Sequence, residues 1–138
     1  MIVGVPKEIY PGERRVALTP VVVPMLAKAG LEVAIEAGAG VEAGYPDAQY
    51  QEKGAKVLSD RAAVFSQCDI IAQVLCHGAN DNNGASDLPL MRRGQVLVGF
   101  LRPLASATQL SHIPHGTSGD GSPKYVSSGR RRQTVESA

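Results

Sequence analysis

Short apolar runs rich in β-branched residues alternate with amphipathic stretches along residues 1–110. The apolar runs predict strands at Ile2–Val5, 31–35, Lys56–Leu58, 69–75 and 95–101. Helices are predicted to begin at Thr19-Pro20, at Asp47 and after Ser59-Asp60, because these residues favour the first turn of a helix. The Thr19 helix should run through Val23 and end at Gly30. Strands that alternate with helices predict an α/β fold with a mostly parallel, doubly wound sheet.

The pattern ends at Ser111. Half of the 28 residues from 111 to 138 are Gly, Ser, Thr or Pro, and the segment has four basic residues but only two acidic ones. Such a segment buries too little apolar surface to offset its ordering entropy, about 1–2 kcal/mol for each backbone residue. We therefore predict one domain at residues 1–110 and a disordered, basic C-terminal tail at residues 111–138.

Composition and charge argue against several classes of protein. Hydrophobic residues make up 43% of the chain but aromatic residues only 4%, so the core must consist of aliphatic side chains. A net charge of +1 argues against a general nucleic-acid binder. The two cysteines, Cys68 and Cys76, indicate cytosolic thiols rather than a disulfide framework. No apolar run approaches the roughly 20 residues that span a bilayer. We expect a cytoplasmic domain.

Three motifs resemble ligand-binding sites, but each has a simpler structural explanation. Gly38, Gly40 and Gly44 follow a predicted strand, but no long helix starts there to hold a pyrophosphate, so we predict a turn and a Rossmann-like sheet without a nucleotide loop. Cys76 and the three histidines (His77, His112 and His115) lack the spacing of a metal site. Residues 130–132, all arginine, have no aromatic neighbours to stack bases and indicate a solvated tail.

Arg14 and Arg15 are more informative, because they precede Thr19-Pro20. A guanidinium near a sheet edge and a helix N-terminus can bind a carboxylate or phosphate through two parallel hydrogen bonds. The alternative, which spacing alone favours, is an ion pair with Glu8 or Glu13. Arg15 is thus the candidate binding residue, and both roles stay open.

Several of these residues also form a longer ordered pattern, made of residues 4–8 (GVPKE), 13–20 (ERRVALTP), 36–40 (EAGAG) and 94–104 (GQVLVGFLRPL). The pattern resembles the N-terminal domain of the alanine dehydrogenase and pyridine nucleotide transhydrogenase family over about residues 1–110. The resemblance implies that Arg15 matches a substrate-binding arginine. It also implies that Leu75 stands where alanine dehydrogenases have a lysine that contacts the keto acid, and Arg102 where they have a catalytic histidine. On these residues the chain is more similar to the transhydrogenase alpha subunit.

That resemblance implies a role in hydride transfer between NAD(H), bound by the complete alpha subunit, and NADP(H), bound by a partner subunit, coupled to proton translocation. It implies a homodimer in the complete enzyme, peripheral to the inner membrane through partner subunits. The family's nucleotide loop lies in a second domain, so we expect no catalytic, cofactor or metal residue on this chain and no activity alone. An alanine dehydrogenase-like domain and a non-catalytic module that binds an anion or a partner protein remain alternatives.

The resemblance ends abruptly near Leu110, where the family would continue with a helix, a strand and a further loop. This break indicates a truncated or frameshifted reading frame, or a miscalled gene end. The sequence does not choose among these causes, and it does not tell whether a second domain is encoded downstream.

Overall fold

The computed structural model describes residues 1–76, 79–80 and 83–100, together with the backbone of a strand near the C-terminus. Every strand of the sheet pairs with its neighbours in parallel. The strands are β1 (Ile2–Val5), β2 (Glu32–Glu36), β3 (Lys56–Leu58), β4 (Ile70–Leu75), β5 (Val96–Phe100) and β6 (Lys124–Ser127). The first five lie within a residue of the predicted positions, so these predictions are confirmed.

The sheet has the strand order β3-β2-β1-β4-β5-β6. The chain thus adds strands on one side of β1, then crosses back and continues on its other side with β4. This is the order of a doubly wound α/β sheet, and it confirms the predicted fold class. The reversal leaves a crevice between the carboxyl ends of β1 and β4, which is where open sheets of this kind bind ligands.

In the described part of the chain, three α-helices connect the strands: α1 (Val23–Lys28), α2 (Asp47–Glu52) and α3 (Arg61–Gln67). The predicted cap of α3 is confirmed, because the Asp60 carboxylate accepts a hydrogen bond from the amide of Ala63 at 2.8 Å. The predicted start at Thr19-Pro20 is correct in position, because Thr19 is the N-cap residue and Pro20 the first residue of a helical segment, but that segment begins as a 3-10 turn. Thr19 makes no side-chain cap, a 3-10 turn occupies Pro20–Val22, and α1 begins only at Val23.

The core lies on both faces of the sheet because neighbouring strand residues point to opposite sides. On one face, Val33 and Ile35 of β2 pack with Tyr50 of α2. On the other, Ala34 packs with Phe65 of α3. Burying a side chain of this size stabilises the fold by about 1.5–3 kcal/mol. Helices thus cover both faces, as the predicted doubly wound sheet requires.

β6 is a correction to the predicted tail. Disorder was expected throughout residues 111–138, but Lys124–Ser127 forms a strand that pairs in parallel with β5, from Val96↔Lys124 to Gly99↔Ser127. The low apolar content is an average over 28 residues, whereas a four-residue strand needs only a free strand edge to supply its hydrogen bonds. The other residues of the predicted tail lie outside the described part of the chain, and there disorder stays a prediction.

Candidate functional site

The cleft beside Arg15 lies at the carboxyl end of the sheet. Residues 15–18, on the segment after β1, line a cavity of about 450 Å³ with residues 72–74 of β4 and 98–100 of β5. Residues 98–100 are the last three of β5, so the cavity opens where doubly wound folds place their ligands. Most of its lining is aliphatic, and Arg15 is the charged residue among the described ones that line it.

Arg15 is held by Glu13. Its Nε donates to Glu13 Oε1 at 2.8 Å, its Nη2 donates to Oε2 at 2.7 Å, and its backbone amide donates to Oε1 at 2.9 Å. The Arg15 side chain is 63% exposed, but that of Glu13 only 8%. These hydrogen bonds lower the pKa of Glu13 and raise the pKa of Arg15. Arg15 therefore forms the ion pair that the sequence allowed, and its partner is Glu13. Its side chain nevertheless lies beside the cleft, so a role in binding stays open.

Glu8 fills the crevice between β1 and β4. These strands pair only at Val3↔Ile70 and Gly4↔Ile71. Beyond that point Glu8 Oε1 accepts from the amide of Val74 at 2.6 Å, and Glu8 Oε2 accepts from the amide of Leu75 at 3.2 Å. Burial raises the pKa of Glu8, although these two hydrogen bonds partly counteract it. The carboxylate thus replaces the acceptors that β1 would otherwise supply.

A second polar cluster ties the same end of the sheet to α3. Arg61 donates from Nε to Asp87 Oδ1 at 2.5 Å and from Nη2 to Asp87 Oδ2 at 2.7 Å. Its Nη1 donates to the carbonyl of Lys7 and lies 3.7 Å from a carboxylate oxygen of Glu36. Gln73 Nε2 donates to Asp87 at 3.2 Å. Asp87 is only 1% exposed and the Arg61 side chain 15%, so this ion pair is largely buried, and it links β2, β4 and the segment after β1 to α3.

Sequence reasoning did not single out Arg61 and Asp87. They are 26 residues apart, so no helical or strand spacing relates them, and each is unremarkable alone. Glu8 was considered only as a partner for Arg15, whereas its hydrogen-bond partner Val74 lies 66 residues away. Only the strand order brings either pair together.

Leu75 ends β4 in apolar surroundings. It is 8% exposed and belongs to a cluster with Val74 and Ala79, against which Tyr10 and Ala17 pack. A buried, aliphatic side chain offers neither a charge nor a hydrogen bond to a ligand. Arg102, the other residue that the resemblance brought into question, lies outside the described residues.

The glycine segment after β2 forms the predicted turn. Gly38 and Gly44 have φ of +78° and +90°, which favours glycine. The amide of Gly38 donates to both carboxylate oxygens of Asp47, at 2.9 and 3.1 Å. A Cβ on Gly40 would meet the carbonyl of Tyr45 and the ring of Tyr50 at 2.6 Å. Packing and a carboxylate of the chain itself therefore account for these glycines.

Both cysteines are buried, and burial disfavours the thiolate, which is the reactive form. Burial raises the pKa of Cys68 to about 11 and that of Cys76 to about 12. Within the described residues, no group of three or more His, Cys, Asp or Glu side chains could hold a metal ion. His77, His112, His115 and residues 130–132 lie outside that part of the chain. In the same part, no helix is both long enough and apolar enough to cross a membrane.

The fold and the cleft define a doubly wound α/β domain with a ligand-sized cavity at the carboxyl end of its sheet. The family model "Alanine dehydrogenase/PNT, N-terminal domain" matches residues 4–118, and the chain belongs to that family. This confirms the resemblance found in the sequence.

The chain is similar both to transhydrogenase alpha subunits and to alanine dehydrogenases. The NAD(P) transhydrogenase subunit alpha of Cereibacter sphaeroides is 39% identical over 110 residues, and the alanine dehydrogenase of Methanococcus maripaludis is 37% identical over 111 residues. Both matches cover 80% of this chain but only 20% and 28% of those proteins, respectively. The solved structure of a transhydrogenase from Sinorhizobium meliloti superposes with a TM-score of 0.70 at 32% identity, over 80% of this chain and 31% of that one.

Proposed function

We propose that this chain supplies the N-terminal domain of an NAD(P) transhydrogenase alpha subunit. That enzyme transfers a hydride between NAD(H) and NADP(H) and couples the transfer to proton translocation. The observation that carries the proposal is the surroundings of Leu75, which is buried among apolar side chains where a keto-acid site would need a cation. Transfer between two nicotinamides needs no group at this position to polarise a small carbonyl substrate.

In this proposal Arg15 is the residue that contacts the ligand, and the chain has no activity by itself. NAD(H) binds to a second domain, NADP(H) binds to a partner subunit, and the complete enzyme is a dimer attached to the membrane through its partners. The glycine segment supports this division, because the Gly38 amide is already bonded to Asp47. The exposed guanidinium of Arg15 supports a position beside the nicotinamide once the second domain is present.

An alanine dehydrogenase-like domain is the second candidate. It is favoured by Arg15, which lies beside an aliphatic cavity large enough for a small keto acid. Its weakness is that the same cavity presents no second cation among the described residues that line it. The two candidates therefore differ in substrate: an alanine dehydrogenase must bind a small keto acid, whereas a transhydrogenase need not.

Two chimeras separate the candidates. Residues 1–110 replace the matching region either of the Cereibacter sphaeroides transhydrogenase alpha subunit or of the Methanococcus maripaludis alanine dehydrogenase. The proposal predicts that the first chimera retains hydride transfer between the nucleotides. It predicts that the second loses alanine oxidation and regains part of it only on the double change Leu75→Lys/Arg102→His. The reverse pattern, with alanine oxidation retained and transhydrogenation lost, would overturn the proposal.

Arg15 is tested in the first chimera. Arg15→Ala should lower the rate of hydride transfer at least tenfold, about 1.4 kcal/mol, if the guanidinium contacts the ligand. The matched control is Arg14→Ala, because the neighbouring Arg14 is 77% exposed and its nearest carboxylate, that of Glu42, is 3.9 Å away. Equal rates for the two variants would show that Arg15 does not contact the ligand. They would not affect the choice between a transhydrogenase and an alanine dehydrogenase.

A further inference from the structure

The end of β4 contains one extra residue. Ala72 pairs with Val98 and Leu75 pairs with Phe100, so three steps along β4 match two steps along β5. This is the geometry of a β-bulge. In a regular strand, successive amides point to opposite sides, toward different neighbours. The bulge instead lets the amides of Val74 and Leu75 point the same way.

These two amides face the crevice that β1 leaves open. The last pair between β1 and β4 is Gly4↔Ile71, so β1 offers no carbonyl to Val74 or Leu75. Two successive amides that converge on one point form a concave anion-binding group. The anion in this structure is the Glu8 carboxylate, which gives one oxygen to each amide.

We propose that the bulge at Val74-Leu75 is a built carboxylate-binding site and that Glu8 is its internal ligand. Glu8 closes the crevice at the strand-order reversal, so a ligand of this domain must take the neighbouring cavity beside Arg15. Glu8 also fixes the end of β4, which forms a wall of that cavity. The site accepts a small carboxylate, with formate as the smallest probe, when the glutamate side chain is removed. The inference does not depend on which reaction the complete enzyme performs.

Rescue of a truncated side chain tests the proposal on the 138-residue chain. Glu8→Ala leaves both amides without an acceptor and should lower the Tm by several degrees. Sodium formate should then raise the Tm of this variant in a saturable way and recover at least half of the loss, with sodium chloride at equal ionic strength as the reference. In NMR spectra, the amide signals of Val74 and Leu75 should move together during the formate titration.

Two comparisons make the result specific. Glu32→Ala removes an exposed carboxylate that pairs with Lys56 at the far side of the sheet, so formate should act on it no more than chloride does. Glu8→Gln keeps a single carbonyl oxygen, so one of the two amide signals should stay near its wild-type position. The proposal is overturned if formate stabilises Glu8→Ala no more than chloride does, or if it stabilises the wild type and Glu32→Ala as much as it stabilises Glu8→Ala. If Glu8→Ala does not fold, unchanged amide signals in Glu8→Gln overturn it.

Discussion

Replacing Asp87 with alanine should destabilise the domain more than any exposed ion pair can. The change removes both hydrogen bonds that Asp87 accepts from Arg61 and leaves Gln73 Nε2 without its acceptor. Breaking a buried pair by deleting one partner costs about 3–5 kcal/mol, because the other charge stays buried. Arg61 keeps the carbonyl of Lys7 and the carboxylate of Glu36 nearby, so we expect the lower end, about 3 kcal/mol.

The assay is urea unfolding followed by far-UV circular dichroism at neutral pH. The matched control is Glu32→Ala, which breaks the pair between Lys56 and Glu32, whose side chains are 67% and 63% exposed. That change should cost about 0–1 kcal/mol. The double variant Arg61→Met/Asp87→Leu should be more stable than Asp87→Ala, because it leaves no charge unpaired. An Asp87→Ala variant as stable as Glu32→Ala would refute the reasoning.

Three further predictions concern the core and the crevice. Gly4→Ala should cost about 1–3 kcal/mol in urea unfolding, because its Cβ would lie 2.7 Å from Cys68 Sγ and from Val64 Cγ1; the added change Cys68→Ala should recover part of that loss. Cys68 and Cys76 should react with iodoacetamide only after unfolding, since burial raises their pKa values to about 11 and about 12; fast alkylation of the native chain would contradict this. The pKa of Glu8 is raised in the fold, so its contribution to stability is full below the unfolded pKa, 4.5, and is lost as the pH rises through the folded pKa. As the pH rises above 4.5, the free energy of unfolding should therefore fall less for Glu8→Gln than for the wild type. Parallel pH profiles of the two proteins would contradict the raised pKa.

Local patterns were sufficient to predict most of the fold. Strand positions followed from β-branched runs, and the cap at Asp60 followed from its place before a helix. A helical segment does begin at Thr19-Pro20, but its first turn is a 3-10 turn and α1 follows only at Val23, a distinction that a threonine and a proline do not encode. β6 was missed because its pairing depends on the free edge of β5 and not on its own composition.

The site was less predictable because its contacts join distant parts of the chain. Glu13 and Arg15 are two residues apart, so their ion pair could be weighed from sequence. The contact of Glu8 with Val74 requires β4 to lie beside β1 and also requires a bulge that no residue type announces. A sequence shows which side chains could accept hydrogen bonds, but the strand order decides which amides they reach.

The central proposal is that this domain is part of an enzyme that transfers hydride and that the domain has no nucleotide site of its own. Calorimetric titration of the 138-residue chain with NADH tests it most directly, with the complete Cereibacter sphaeroides alpha subunit as the positive control. The account predicts saturable heat for the control and none for the chain, because the Gly38 amide is bonded to Asp47 and no long helix follows the glycines to hold a pyrophosphate. A micromolar dissociation constant for NADH on the chain alone would contradict it.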